Sequence, residues 1–296
     1  MTILVIQILN SLFYAAVLFL IAAGLSLIYG VMRIVNLAHG TLYALGAYVA
    51  AWIVGGAFGH AIQGTLGLVG LFLLLPLAAV AIAAVGAAIE PTLLRPLYRR
   101  PEEYHLLLTF GLLMIFEDMM KLLFGGTPLS AGSIMDSMGS IPIGRLLYPT
   151  YNFFVIVVGF LAAVGLWWFI YRTRFGVILR ATSQDRRMAS ALGLDVGKVY
   201  VQAFALGCFM AGLGGAVVVP AQAAVLGMGV DALILSFVVI VIGGLGSLEG
   251  AFVGALIVSF VRTAGIQFFP EIELAVLYLI AAAVLIIRPT GLFGRA

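Results

Sequence analysis

Charge is scarce in this sequence. Only 9% of its 296 residues are Asp, Glu, Lys or Arg, where a soluble domain carries roughly 25%. With 64% hydrophobic residues and a mean hydropathy of +1.22, the chain is read as an integral membrane protein. Cysteine is nearly absent. Cys208 stands alone, which excludes an intramolecular disulfide and a cysteine-based metal site. The histidines, His39, His60 and His105, are scattered and form no metal-ligand cluster, so no metal is expected. No Gly-x4-Gly-Lys-[Ser/Thr] run occurs. Gly243–Gly250 is glycine-rich, but it has no lysine and no preceding strand, so the chain does not cradle ATP by that route. No histidine follows Ser247 and no Gly-x-Ser-x-Gly elbow surrounds it, which argues against a membrane hydrolase. The chain is therefore not read as an enzyme, and no cofactor of its own is expected. The net charge of +3 does not point to nucleic acid, because the basic residues cluster in two loops between apolar runs.

The apolar runs dominate what is present. A helical span needs about 20 predominantly apolar residues. Nine segments are candidates: Ile3–Ile28, Thr41–Phe58, Leu66–Ile89, Tyr104–Phe124, Tyr151–Tyr171, Val199–Val219, Ala232–Val241 with a glycine-rich extension, Ala251–Phe268 and Leu274–Ile287. Backbone groups facing lipid must be satisfied within a segment, so these should be helices. A barrel would need alternating polar and apolar residues, and these runs are continuous. The expected fold is an all-α, polytopic helix bundle with eight or nine spans. It forms one domain over residues 1–296. The first run lacks a positive flank and is too long for a signal peptide, so it is read as a retained span.

Basic residues orient the bundle. One loop, Glu90–Glu103, holds Arg95, Arg99 and Arg100 among three prolines. The other, residues 172–198, holds Arg172, Arg174, Arg180, Arg186, Arg187 and Lys198 against Asp185 and Asp195. Both should face the cytoplasm, with Gly125–Thr150 outside. Nine crossings then put the N-terminus outside and Arg288 and Arg295 inside. Re-entrant segments would lower that number. Within the second loop a short helix is expected. Ser183 would be its N-cap, Asp185 would lie in its first turn, and Gly193 would close it in a left-handed conformation. Met188, Ala189 and Leu192 would share one face, with Arg186 or Arg187 at its rim. Such a helix is a docking surface for a partner protein. The plainer alternative is that Arg180, Arg186 and Arg187 set topology and touch lipid head groups.

Two stretches break the helical pattern. Gly30–Tyr48 contains Asn36, His39 and Gly40. Gly243–Ala255 contains Gly243, Gly244, Gly246, Ser247, Glu249 and Gly250. Paired glycine-interrupted segments in the two halves point to a solute pathway. The competing reading is tight helix packing, which Gly250-x3-Gly254, Gly46-x3-Ala50 and Gly207-x3-Ala211 also fit. Charged residues in or near spans are Arg33, Glu117, Asp118, Lys121 and Arg262. Glu117 and Lys121 are spaced so that they could pair with each other, though near the outer end of their span they are read as snorkelling to the interface, and Arg262 has no local partner.

These motifs together resemble a known family. Asn36-Leu37-Ala38-His39-Gly40, then Gly46-Ala47-Tyr48, Arg180-Ala181 leading to Gly193-Leu194-Asp195, and Gly243-Gly244-Leu245-Gly246-Ser247-x-x-Gly250 look like the permeases of branched-chain amino acid ABC importers, the LivH type. The resemblance covers nearly the whole chain. One departure is Thr41, where the family often has glutamate, and it bears on substrate. The resemblance implies a second, LivM-like permease, two cytoplasmic ATPases that bind the ATP, and a periplasmic or lipid-anchored binding protein. It implies the cell inner membrane, and it makes residues 172–198 the loop that couples to an ATPase. The alternatives are a related permease for urea, a short amide or an aromatic acid, and a stand-alone secondary transporter, which needs no docking helix.

Overall fold

The computed structural model describes residues 2–268 and 270–294. Each of the predicted apolar segments falls on a helix, except that Thr41–Phe58 crosses the break at Gly56 into the start of the next helix. In chain order the first helices are α1 (Thr2–Met32), α2 (His39–Gly55), α3 (Ala57–Ile89) and α4 (Glu102–Phe124). Next come α5 (Gly132–Met138), a hairpin of β1 (Ser140–Ile143) with β2 (Leu146–Pro149), and α6 (Thr150–Arg172). The short helices α7 (Arg174–Gln184) and α8 (Arg186–Ala191) follow. The chain ends with α9 (Val196–Val218), α10 (Met228–Gly243), α11 (Leu248–Phe268) and α12 (Glu273–Ile287). Among the described residues five helices are long and apolar enough to cross a membrane, and α10 and α12 are shorter apolar ones. This is a membrane helix bundle. Gly67 breaks α3 with φ 60°, close to the expected start of that span at Leu66.

The core is built from α1, α2, α9 and α10. Leu20, Ile21, Ala22 and Ala23 of α1 are all buried, as are Ala203, Phe204 and Cys208 of α9. A helix buried on all sides is apolar all round, which explains why α1 shows no polar stripe. At the periphery, α4 exposes Leu107, Leu122 and Leu123, and α6 exposes Phe160, Leu161 and Trp168. Such surfaces suit lipid or a protein partner.

The two basic loops meet at one end of the bundle. Arg95 donates to the Gly197 carbonyl at 3.2 Å, and the Arg186 guanidinium lies over the rings of Tyr98 and Tyr200. At the other end Gly144 lies against Thr2, and Leu129 pairs with Ala224. Residues 125–150, expected to lie on the outer side, contain α5 and the β1–β2 hairpin. Arg295, expected on the cytoplasmic side, lies outside the described residues.

The charged residues near spans also find places. Glu117 does not pair with Lys121 among the described residues. Its carboxylate accepts from the Gly227 backbone N–H at 3.3 Å, at the start of α10, where the helix dipole favours negative charge. Arg262 meets Glu273 at 4.0 Å and lies over the Tyr14 ring. Arg33 is exposed and ends α1 with φ 57°, a conformation that disfavours most residues other than glycine.

If the arginine-rich end is retained inside, an impermeant thiol reagent should label a cysteine at Ser137 in intact cells. It should label one at Gln184 only after permeabilisation. Native Cys208 is fully buried and should stay silent. Labelling at Gln184 but not Ser137 in intact cells would reverse the orientation.

Candidate functional site

Two regions compete for attention: the helix breaks in the interior and the short helices at the arginine end. The first break follows α1. Residues 33–38 are non-helical and α2 starts at His39. Asn36 is buried, and its Oδ1 accepts from the Ala38 backbone N–H at 3.1 Å. This local Asx bond is one reason the chain turns here. His39 is fully buried, and its Nε2 donates to the Ile21 carbonyl at 3.0 Å. That assigns the proton to Nε2 and leaves Nδ1 as an acceptor. His39 Nδ1 and Asn36 Nδ2 find no partner among the described residues. Thr41 is buried too, with its hydroxyl donating to the Ala38 carbonyl at 2.8 Å.

Gly40 shows why this site takes no side chain. A Cβ there would stand 2.0 Å from the Gly229 carbonyl oxygen of α10. The second break behaves the same way. A Cβ on Gly250 would lie 2.3 Å from the Gly243 oxygen, and one on Gly243 would lie 2.0 Å from the Gly250 oxygen. Gly254 faces the Val239 carbonyl. Gly246 takes φ 78° and rests on Gly30 of α1, while Gly244 takes φ 113° against Gly294. The Ser247 hydroxyl accepts from the Gly250 N–H at 3.0 Å, which caps the start of α11. The Ser247 carbonyl accepts from Ser26 at 3.1 Å. Backbone meets backbone at both breaks, as the packing reading requires.

The arginine end differs from expectation in its details. Residues 172–198 hold two helices. Thr173 caps α7, accepting from the Gly176 N–H at 3.1 Å. Ser183 is not the cap of α8, because it still lies in α7 and its hydroxyl donates to the Arg180 carbonyl at 2.8 Å. Asp185 is the cap. Its Oδ1 accepts from the backbone of Arg187 at 2.8 Å and Met188 at 2.9 Å. A carboxylate is the stronger acceptor at a helix N-terminus, where it also meets the dipole. Gly193 ends the turn with φ 84°, as its position suggested. Met188 and Leu192 are 57% and 75% exposed, but Ala189 is 3% exposed. Ala189 therefore faces the protein's own interior and leaves the outward stripe, since i+1 lies on another side of a helix. Arg186 is exposed yet not free at a rim, because its guanidinium stacks on Tyr98 and Tyr200 at 5.5 and 5.3 Å. Arg187 stays outside, and a cleft of about 480 Å³ is lined by Arg186, Arg187, Ser190 and Val196.

Beneath α8 lies a cluster that sequence reasoning missed. Glu90 is fully buried at the start of a π-helical turn, Glu90–Leu94. Its Oε2 accepts from Arg95 at 3.0 Å and its Oε1 from the Tyr98 hydroxyl at 2.5 Å. In an α-helix, positions five apart diverge. The i→i+5 turn brings Glu90 and Arg95 together. Burial, and then the bond to Glu90, push the Tyr98 phenol up from its ordinary range, so it remains a neutral donor. Breaking a buried ion pair typically costs about 3–5 kcal/mol. The half-exposed Arg95 side chain places this pair at the weaker end. The one sequence signal was an acid closing an apolar run before Pro91. Asp195 caps α9 in turn, accepting from the Lys198 N–H at 3.1 Å. The Lys198 backbone, and then its side chain, hold the Asp195 carboxyl below its ordinary value.

Comparison with known proteins then decides the family. Residues 7–287 match the family described as the branched-chain amino acid transport system permease component. The chain belongs to that family. Among its relatives is the high-affinity branched-chain amino acid transport system permease protein BraD of Pseudomonas aeruginosa, 28% identical over 98% of this chain and 95% of that one. LivH of Salmonella typhimurium is 28% identical over 98% and 95%. A probable LivH of Methanocaldococcus jannaschii is 27% identical over 84% and 77%. Within this permease family the chain is a multi-pass membrane protein, and its relatives carry the names of transport proteins and not of enzymes.

The backbone contacts generate a stability prediction. Gly250→Ala and Gly243→Ala should each destabilise by about 1–3 kcal/mol of overpacking. Thermal unfolding of the purified protein should fall by roughly 2–10 °C. Gly111→Ala on α4, where a Cβ meets nothing within 4 Å, should leave it unchanged or raise it. Unaltered unfolding in both crowded variants would refute the contact.

Proposed function

We propose that this chain is a membrane-spanning permease subunit of an ABC importer in the cell inner membrane. It translocates branched-chain or related amino acids, driven by ATP hydrolysis on two cytoplasmic ATPase subunits that bind the nucleotide. A second, LivM-like permease completes the membrane part, and a periplasmic or lipid-anchored binding protein delivers the solute. The relatives' names support the solute class. The observation that carries the docking reading is α8 itself. A six-residue helix is far too short to stand alone in water. Here it is capped at both ends and held from beneath, yet it turns Met188 and Leu192 outward beside a cleft lined by two arginines. Residues 172–198 then form the coupling loop within one permease domain.

Asn36 and His39 are proposed to lend polar atoms to the solute path, because each keeps a buried polar atom without a partner among the described residues, and such atoms ordinarily find one. Gly40, Gly243, Gly244, Gly246, Ser247 and Gly250 are proposed to act beside that path by letting backbones approach. Thr41, in place of the family's common acid, favours a second reading in which the solute is urea, a short amide or an aromatic acid. Uptake assays with the binding protein present separate these solutes.

The docking reading is tested on a reconstituted complex. Met188→Asp and Leu192→Asp should lower ATPase co-purification or uncouple hydrolysis from uptake, because a carboxylate desolvates poorly in an apolar contact. Membrane insertion should persist. Full assembly and coupled turnover in both variants would reduce residues 172–198 to a topological anchor and restore the stand-alone transporter.

A further inference from the structure

We infer that Glu90, Arg95 and Tyr98 are positioning residues that tie the docking helix to the transmembrane bundle and carry its displacement inward. This deepens the docking reading and rests on it. The cluster connects three elements through short contacts. Glu90 closes α3 and holds both Arg95 and Tyr98. Arg95 also donates to the Gly197 carbonyl in the first turn of α9. The Tyr98 ring meets the Tyr200 ring edge-on at 5.3 Å, and Arg186 of α8 lies over both. The fixed side of this chain of contacts is buried, with both Glu90 oxygens occupied. Its outer side is the single residue Arg186, at the base of the exposed helix.

The geometry favours transmission over simple anchoring. A surface helix that needed only an anchor could rest on Ala189 and its Asp185 cap. Instead one arginine of α8 reaches both Tyr98, which is bonded to Glu90 at the end of α3, and Tyr200 of α9. Those two helices are locked together deeper in the bundle. A Cβ on Gly86 of α3 would lie 2.4 Å from the Cys208 sulfur of α9, so one cannot slide far without the other. Alpha9 then meets α1 at Gly24 and α2 at Tyr43 and Gly46, which flank the first helix break. Energetic coupling of this kind is carried by packed side chains and hydrogen-bonded networks that hold rigid elements together. A π turn such as Glu90–Leu94 is also a common site of functional adjustment.

The test uses the complete transporter, with its ATPases and binding protein, in proteoliposomes. Tyr98→Phe keeps the ring under Arg186 and removes only the bond to Glu90. Glu90→Gln keeps an acceptor and removes the charge. Arg186→Met keeps apolar contact with the rings, removes the cation and leaves the buried cluster untouched, so it reports even if a Glu90 variant fails to fold. Tyr98→Phe and Glu90→Gln, which lie outside the docking cleft, should retain ATPase co-purification near the wild-type level, and Arg186→Met, whose side chain lines that cleft, is compared at matched ATPase occupancy. Solute transported per ATP hydrolysed should fall about tenfold, the loss expected from one charge-assisted bond. Arg186→Lys should restore part of it. Wild-type transport per ATP in Tyr98→Phe and Arg186→Met, with docking intact, would overturn the proposal. Loss of ATPase binding in Tyr98→Phe would also overturn it, because the cluster would then only hold α8 in shape. A wild-type complex that binds no ATPase would instead defeat the docking reading beneath it.

Discussion

Helix α9 closes on its neighbours through a run of glycines, and the rest of the structure follows from that. Gly207 meets α1, Gly212 and Gly215 meet α2 and α3, and Cys208 meets Gly86. In lipid there is no hydrophobic drive between helices, so close van der Waals packing must supply the association. Small residues let backbones approach, and that approach lets non-helical backbone exist at depth. Residues 33–38 and 244–247 leave helical geometry with Ile34, Asn36, Ala38 and Gly244 buried against other segments, while Arg33, Leu245 and Gly246 are exposed. The first break lies beside α10 and the second beside α1. A bundle spaced by leucines would leave those carbonyls and N–H groups facing lipid.

The same constraint explains what was legible in the sequence. Long apolar runs announce helices because lipid permits few alternatives, so the segments were readable one at a time. The charge asymmetry of the two basic loops was readable too, and Arg95 and Gly197 do meet. Other features depend on distant parts of the chain. Nothing around Glu90 says that Tyr98 and Arg95 fold back onto it, because the π turn that places them is a tertiary outcome. Arg262 had no partner in its own helix, since Glu273 comes from the next one.

Residues 172–198 show a subtler limit. Ser183 and Asp185 are both good caps by type, and the sequence does not say where α7 stops. Asp185 prevails because its extended backbone, φ −146° and ψ 100°, separates two helices that local propensity would merge. Spacing in the sequence groups Ala189 with Met188 and Leu192 on one face. A helix of six residues offers too few positions for a period to declare its inner face. Burial of one methyl against the bundle decides it, and burial is a property of the whole fold.

The order of α8 before any partner arrives bears on how it would work. A segment that folds only on docking spends binding free energy on its own ordering. Alpha8 has already met that requirement, through the Asp185 cap, the left-handed Gly193 and the stacked Arg186. What remains exposed is small: two apolar side chains and a cleft edged by arginine. A small rigid contact supports modest affinity, yet it moves as one body with whatever holds it. Here that is the paired ends of α3 and α9, and through α9 the glycine contacts around the broken helices. A flexible loop of the same composition would bind a partner and absorb its motion. The architecture instead joins the outermost helix to the innermost backbone contacts with little compliance between them, which is what the proposed coupling to an ATPase would require.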